Sequence, residues 1–117
     1  MIRLVLTSTI IALLTSACQA QHTTDTLEQV KKALADKKAI LVDVREKKET
    51  DDGTLKDAKL DPLSAIKTKS AEDLLKLYPK GTIVYMHCKA GGRCVQAAEI
   101  LKKQGIDARP LAPAQTG

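Results

Sequence analysis

Two short, nearly continuous apolar runs constrain this chain more than any other feature. They are Ala39-Ile40-Leu41-Val42-Asp43-Val44 and Thr82-Ile83-Val84-Tyr85-Met86-His87. Each is rich in branched side chains and too short for a typical helix. Neither alternates apolar with polar residues, as a half-exposed strand would. Such runs read as strands buried on both faces, the pattern of a mostly parallel sheet with helices packed on either side.

The segments around them supply the helices. Asp25-Thr26-Leu27-Glu28 has the form of a capping box, with Asp25 as N-cap and Glu28 at the third helical position. Leu27, Val30 and Leu34 then recur on one face, with Ala33 beside them, and predict a helix ending near Lys37. Residues 46–57 are charged, with Asp52-Gly53 as a turn signal. Ala58–Leu60 reads as a short strand and Pro62–Ile66 as one helical turn. Ser70 opens a helix carried by Leu74, Leu75 and Leu77, which Pro79-Lys80-Gly81 ends. After the second apolar run, Val95, Ala98 and Leu101 mark a helix over residues 93–104, with Gly105 at its C′ position. Ile106–Leu111 is a last strand, and Pro110 suits an edge position or the strand's end. Strands and helices in alternation imply one α/β domain.

Composition narrows the function. At 117 residues the chain holds one domain. It has no Trp, no Phe and only 2 Tyr, so its core is aliphatic and platforms for stacking nucleic-acid bases are nearly excluded. The net charge is +5, but the lysines lie among acids, as in Glu46-Lys47-Lys48-Glu49. A mixed surface of this kind serves solubility and not nucleic-acid binding.

The first 20 residues have the layout of a bacterial export signal: Arg3, an apolar run from Leu4 to Leu14, then small residues up to Cys18. Two cleavage readings stay open. Leu14-Thr15-Ser16-Ala17-Cys18 resembles a lipobox, which would make Cys18 a lipidated N-terminus attached to a membrane. An ordinary signal peptidase would cut after Ala17 or Ala20. Residues 21–24 then form a tether and 25–117 the domain. Both readings place the domain outside the cytoplasm, in the periplasm or on a membrane facing it, where thiols are exposed to oxidation.

Chemistry concentrates in His87-Cys88-Lys89-Ala90-Gly91-Gly92-Arg93-Cys94, between a buried strand and a helix start. A loop there turns backbone N–H groups inward as an anion cradle, and the helix adds its positive dipole end. Cys88 at its mouth is the expected nucleophile, with a thiolate favoured by that setting. Lys89, Ala90, Gly91, Gly92 and Arg93 form the substrate-binding loop. The two glycines let it curl, and Lys89 and Arg93 supply positive charge. Nucleophile, cradle and dipole together describe attack on an oxyanion substrate. Cys94 reads in two ways, as a small apolar residue in the first helical turn or as a resolving thiol for Cys88. His87 reads as a packed strand residue. The acids Glu49, Asp51 and Asp52 read as a solvated stretch and not a metal site.

The loop matches the rhodanese pattern C-x-x-G-x-R as Cys88, Gly91 and Arg93. Asp43-Val44-Arg45-Glu46 resembles the same family's D-V-R-E strand end, and Glu49, Gly53, Ala58 and Pro62-Leu63 follow at its spacings. The run Cys88, Ala90-Gly91, Gln96-Ala97 and Glu99-Ile100-Leu101 is similar to small exported single-domain rhodaneses of the phage shock protein E type. The resemblance covers about residues 25–111. It implies a single rhodanese-like domain and thiosulfate sulfurtransfer through a Cys88 persulfide, with cyanide or a thiol as acceptor. It also implies Asp43 and Arg45 as structural support and no metal or organic cofactor; the scarce aromatics and mixed charge argue against a nucleic-acid partner, and a monomer is expected.

Three departures bear on activity. Cys94 stands where the family usually has Ser or Thr. Thr50 and Thr54 replace a usual aromatic residue and a usual His. The chain runs from Ala112 to Gly117 where the family has a Gly-Gly turn and a closing helix. The alternative reading is therefore a sulfur carrier without turnover, or a thiol-redox module using Cys88 and Cys94. An arsenate- or phosphate-ester enzyme is disfavoured, because four residues and not five separate Cys88 from Arg93.

Overall fold

A computed structural model describes residues 22–50, 58–89 and 92–112. The export signal with Cys18, the Asp52-Gly53 turn, Ala90, Gly91 and the tail 113–117 lie outside the described residues. Nine elements follow in chain order: α1 (Leu27–Ala35), β1 (Ala39–Asp43), α2 (Lys47–Thr50), β2 (Lys59–Leu60), α3 (Leu63–Thr68), α4 (Ala71–Leu77), β3 (Ile83–His87), α5 (Gly92–Lys102) and β4 (Asp107–Pro110). The strands form one parallel sheet in the order β2-β1-β3-β4. Both apolar runs became its central strands, which accounts for their apolar character on both faces.

The side-chain alternation of these strands feeds two cores. Val42, Val44, Val84 and Met86 face α3, α4 and α5, joining Ile66, Leu74, Tyr78 and Leu101. Ala39, Leu41 and Tyr85 point the other way, against Val30 of α1 and against Leu111. In register, Asp43 lies beside His87 at the carboxyl ends of β1 and β3.

Three local readings need correction. The capping box of α1 is built one residue later than the sequence suggests. Thr26 accepts from Gln29 N–H at 3.2 Å, and Gln29 accepts from Thr26 N–H at 2.7 Å. Asp25 is committed elsewhere, accepting from Tyr85 Oη at 2.6 Å and Arg109 Nη1 at 2.7 Å. The helix stops at Ala35 and not near Lys37, because Lys37 turns left-handed at φ 58°. Lys37 N–H then reaches the Leu34 carbonyl and Lys38 N–H the Ala33 carbonyl, which closes the helix end. The charged stretch also holds a short helix, α2, that its composition does not signal.

Gly105 takes its expected place. Its φ of 80° lets its N–H reach Lys102 and the next N–H, of Ile106, reach Leu101. Pro110 lies on the edge strand β4, where its carbonyl accepts from Thr23 N–H at 2.7 Å.

Candidate active site

The strand order fixes where a site can form. The chain leaves β1 toward β2 on one side, whereas β3 leads to β4 on the other. In a parallel sheet, such a reversal opens a crevice beyond the carboxyl ends of the two middle strands. Cys88 follows β3 directly, and Arg45 and Glu49 follow β1, so this crevice collects the residues singled out in the sequence.

Cys88 is 1% exposed and directly follows His87, the last residue of β3. Cys94 N–H, in the first turn of α5, donates to Cys88 Sγ at 3.3 Å. The first N–H groups of a helix have no partner within it, so this one is available to the sulfur. A donated hydrogen bond and a helix N-terminus both favour negative charge on Sγ. The Cys94 thiol lies buried in the same core as Cys88. Interaction with Cys88 and burial push the Cys94 thiol well above its ordinary range, so Cys94 stays protonated. Its sulfur lies 3.7 Å from the Leu111 carbonyl. The two cysteines are thiols, with no disulfide between them.

Arg93 does not point freely into the crevice. It makes a two-pronged ion pair with Glu49: Nη1 reaches Oε1, and Nη2 reaches Oε2 at 2.7 Å. Its guanidinium is pushed up, first by this hydrogen bond and then by the charges of Glu49 and of the Cys88 thiolate. The pair holds Glu49 at about 2, far below the usual carboxylate range. Glu49 thus has a role in the site that the sequence reading did not give it. Its place in an acidic stretch suggested solvation. The usable signal was its position after the Asp43-Val44-Arg45-Glu46 strand end.

Asp43 organises the floor. It is 0% exposed and accepts from Arg45 Nε at 3.0 Å, Arg45 Nη2 at 2.8 Å and Arg45 N–H at 3.0 Å. His87 Nε2 lies 4.0 Å from Asp43 Oδ2, and its Nδ1 has no hydrogen-bond partner among the described residues. Burial holds His87 below its ordinary value, against the pull of Asp43, so it packs as a neutral ring. Lys89 is exposed at the crevice, and Gly92 begins α5. A groove of about 580 Å³ lined by Lys31, Leu34, Ile40 and Lys59 lies along β1, and neither Cys88 nor Cys94 lines it.

A buried sulfur at a helix N-terminus, beside a fixed guanidinium, can attack an anionic substrate and hold the charge of the product. The same architecture defines a class. The sequence profile of the rhodanese-like domain matches residues 26–112, and the chain belongs to that family. Among solved structures it is similar to a human single-domain sulfurtransferase, TSTD1, at 25% identity and TM-score 0.63, over 80% of this chain and 91% of that one. It is also similar to a rhodanese-like domain protein from Staphylococcus aureus, at 33% identity and TM-score 0.60, over 74% and 80%. A single-domain sulfurtransferase of Saccharomyces cerevisiae, RDL2, shares the fold at 22% identity and TM-score 0.57, over 76% and 85%. No curated protein matches the sequence.

Proposed function

We propose that this chain is a thiosulfate sulfurtransferase of the small exported single-domain type, similar to phage shock protein E. The Cys88 thiolate attacks the outer sulfur of thiosulfate. The S–S bond to the sulfonate breaks, sulfite leaves with the electron pair, and Cys88 keeps the outer sulfur as a persulfide anion. Cyanide or a thiolate then takes that sulfur and regenerates the Cys88 thiolate. Backbone N–H groups of residues 89–93 stabilise the persulfide charge, and Lys89 attracts the dianion. Arg93 acts mainly by bracing the loop through Glu49, while its charge faces Cys88. Asp43 and Arg45 hold the strand ends. No metal or organic cofactor takes part.

The observation that carries this reading is the Cys88 sulfur at the strand-order reversal, accepting the Cys94 N–H at 3.3 Å. The domain acts as a monomer in the periplasm, carried there by the signal in residues 1–20 and held at a membrane if Cys18 is lipidated.

Intact mass of the reduced protein after incubation with thiosulfate tests the reading. The wild type gains one sulfur atom, and brief treatment with cyanide removes it. The Cys88→Ser variant gains none. An accessible Cys88 thiol that gains no sulfur in either the wild type or Cys94→Ser would refute sulfurtransfer.

A further inference from the structure

We infer that Cys94 is a second reacting thiol, which resolves the Cys88 persulfide by closing a Cys88–Cys94 disulfide and expelling hydrosulfide. This rests on the reading that Cys88 carries a persulfide, and it adds a reductive outlet to that site.

The geometry comes first. Cys94 is the third residue of α5, is 0% exposed, and shares a core cluster with Cys88. Its backbone N–H holds Cys88 Sγ at 3.3 Å, and its thiol donates to the Leu111 carbonyl at 3.7 Å. A Ser or Thr in this position could donate the same hydrogen bond. Only a cysteine adds a group that can be oxidised there. Closing the pair needs an S–S length near 2.05 Å, so the Cys94 thiol leaves the Leu111 carbonyl and turns onto Cys88.

The step balances within the protein. The Cys94 sulfur attacks the inner sulfur of Cys88–S–S⁻. The new bond joins the two cysteine sulfurs, and the bond from Cys88 to the outer sulfur breaks. The outer sulfur leaves with the electron pair and takes the Cys94 proton, as HS⁻. Cys94 is oxidised and the outer sulfur is reduced, with no outside oxidant. Because the thiolate is the nucleophile, the Cys94 proton passes to the leaving sulfur as the new bond forms. A dithiol reductant then returns the disulfide to two thiols. Over one cycle a sulfane sulfur becomes hydrosulfide at the expense of a dithiol, with no cyanide or other thiophile.

The test is a single-turnover time course on the full chain, reduced, freed of reductant, kept anaerobic and loaded with thiosulfate. In the wild type the added sulfur disappears and the mass settles two hydrogen atoms below the reduced protein. One equivalent of hydrosulfide appears, and a peptide linking Cys88 to Cys94 is recovered. In Cys94→Ser the added sulfur persists, with loss about tenfold slower or more. Cys94→Ala serves if the serine variant misfolds, and the wild-type masses decide the question without either. Added sulfur that lasts as long in the wild type as in the variants overturns the inference and leaves sulfurtransfer standing. Failure of every form to gain sulfur overturns the sulfurtransfer reading, and this inference with it.

Discussion

Replacing Asp43 by Asn tests how far the buried acid holds the site together. The amide keeps the shape of the carboxylate and one acceptor oxygen, but not the charge. Oδ1 can still accept from Arg45 N–H and Nε, each now at 3.0 Å. At the other position, an NH₂ group would face Arg45 Nη2, now 2.8 Å from Oδ2, donor against donor. Arg45 is only 14% exposed, so water replaces the lost partner poorly. Losing a charge-assisted hydrogen bond and stranding a half-desolvated guanidinium costs about 2–4 kcal/mol. For a domain of this size, that lowers the thermal midpoint by roughly 10–25 °C. Urea unfolding at neutral pH, with the denaturant slope compared between the two proteins, measures it. A loss below about 1 kcal/mol at unchanged slope would show that the Asp43–Arg45 pair is not what secures the strand ends.

Other perturbations have definite signs. His87 is held below its ordinary value of 6.5, so the folded protein resists protonating it while the unfolded chain does not. Its contribution is complete above pH 6.5 and is lost as pH falls toward the folded value; His87→Gln should flatten that part of a stability-against-pH curve, and an unchanged curve would refute the assignment. Glu49→Gln releases Arg93 and should lower kcat/KM for thiosulfate by about tenfold. Because Glu49 sits at about 2, the wild-type brace stays intact from neutral pH down through pH 4, and a loss of activity on titrating Glu49 near pH 4.5 would contradict the pairing. Tyr85→Phe removes the bond to Asp25 and should cost about 1 kcal/mol, seen as faster amide exchange in α1. Lys37→Gly relieves a left-handed residue at φ 58° and should raise stability by about 1 kcal/mol; a lower thermal midpoint would count against it.

The parts of the fold that could be read in the sequence are those set by burial or by a single steric demand. Val42, Val84 and Met86 had to be apolar because both faces of their strands are covered, and that shows in the letters. Gly105 had to tolerate positive φ, and that shows too. The cap of α1 was ambiguous because Asp25 and Thr26 are both good caps. What separates them is a contact with Tyr85 and Arg109, 60 and 84 residues away in the chain. The 4-residue helix α2 is too short to display a period. Within the site, Cys88 and its loop were legible as local chemistry, whereas the Glu49–Arg93 pair joins residues 44 apart and could be found only by folding the chain. The hydrogen bond from Cys94 N–H to the Cys88 sulfur was legible only as two cysteines six residues apart.

The short hydrogen bond from Thr23 to Pro110 also bears on how this chain keeps to itself. An exposed sheet edge is a template for pairing with another chain. On β4 the Pro110 nitrogen has no hydrogen to offer, and its carbonyl is already occupied by the chain's own leading residues. Trimming the chain past Thr23 would vacate that carbonyl on the outer edge. The few residues ahead of the first helix therefore work as a guard against aggregation, and a shortened form should self-associate at lower concentration than the intact one.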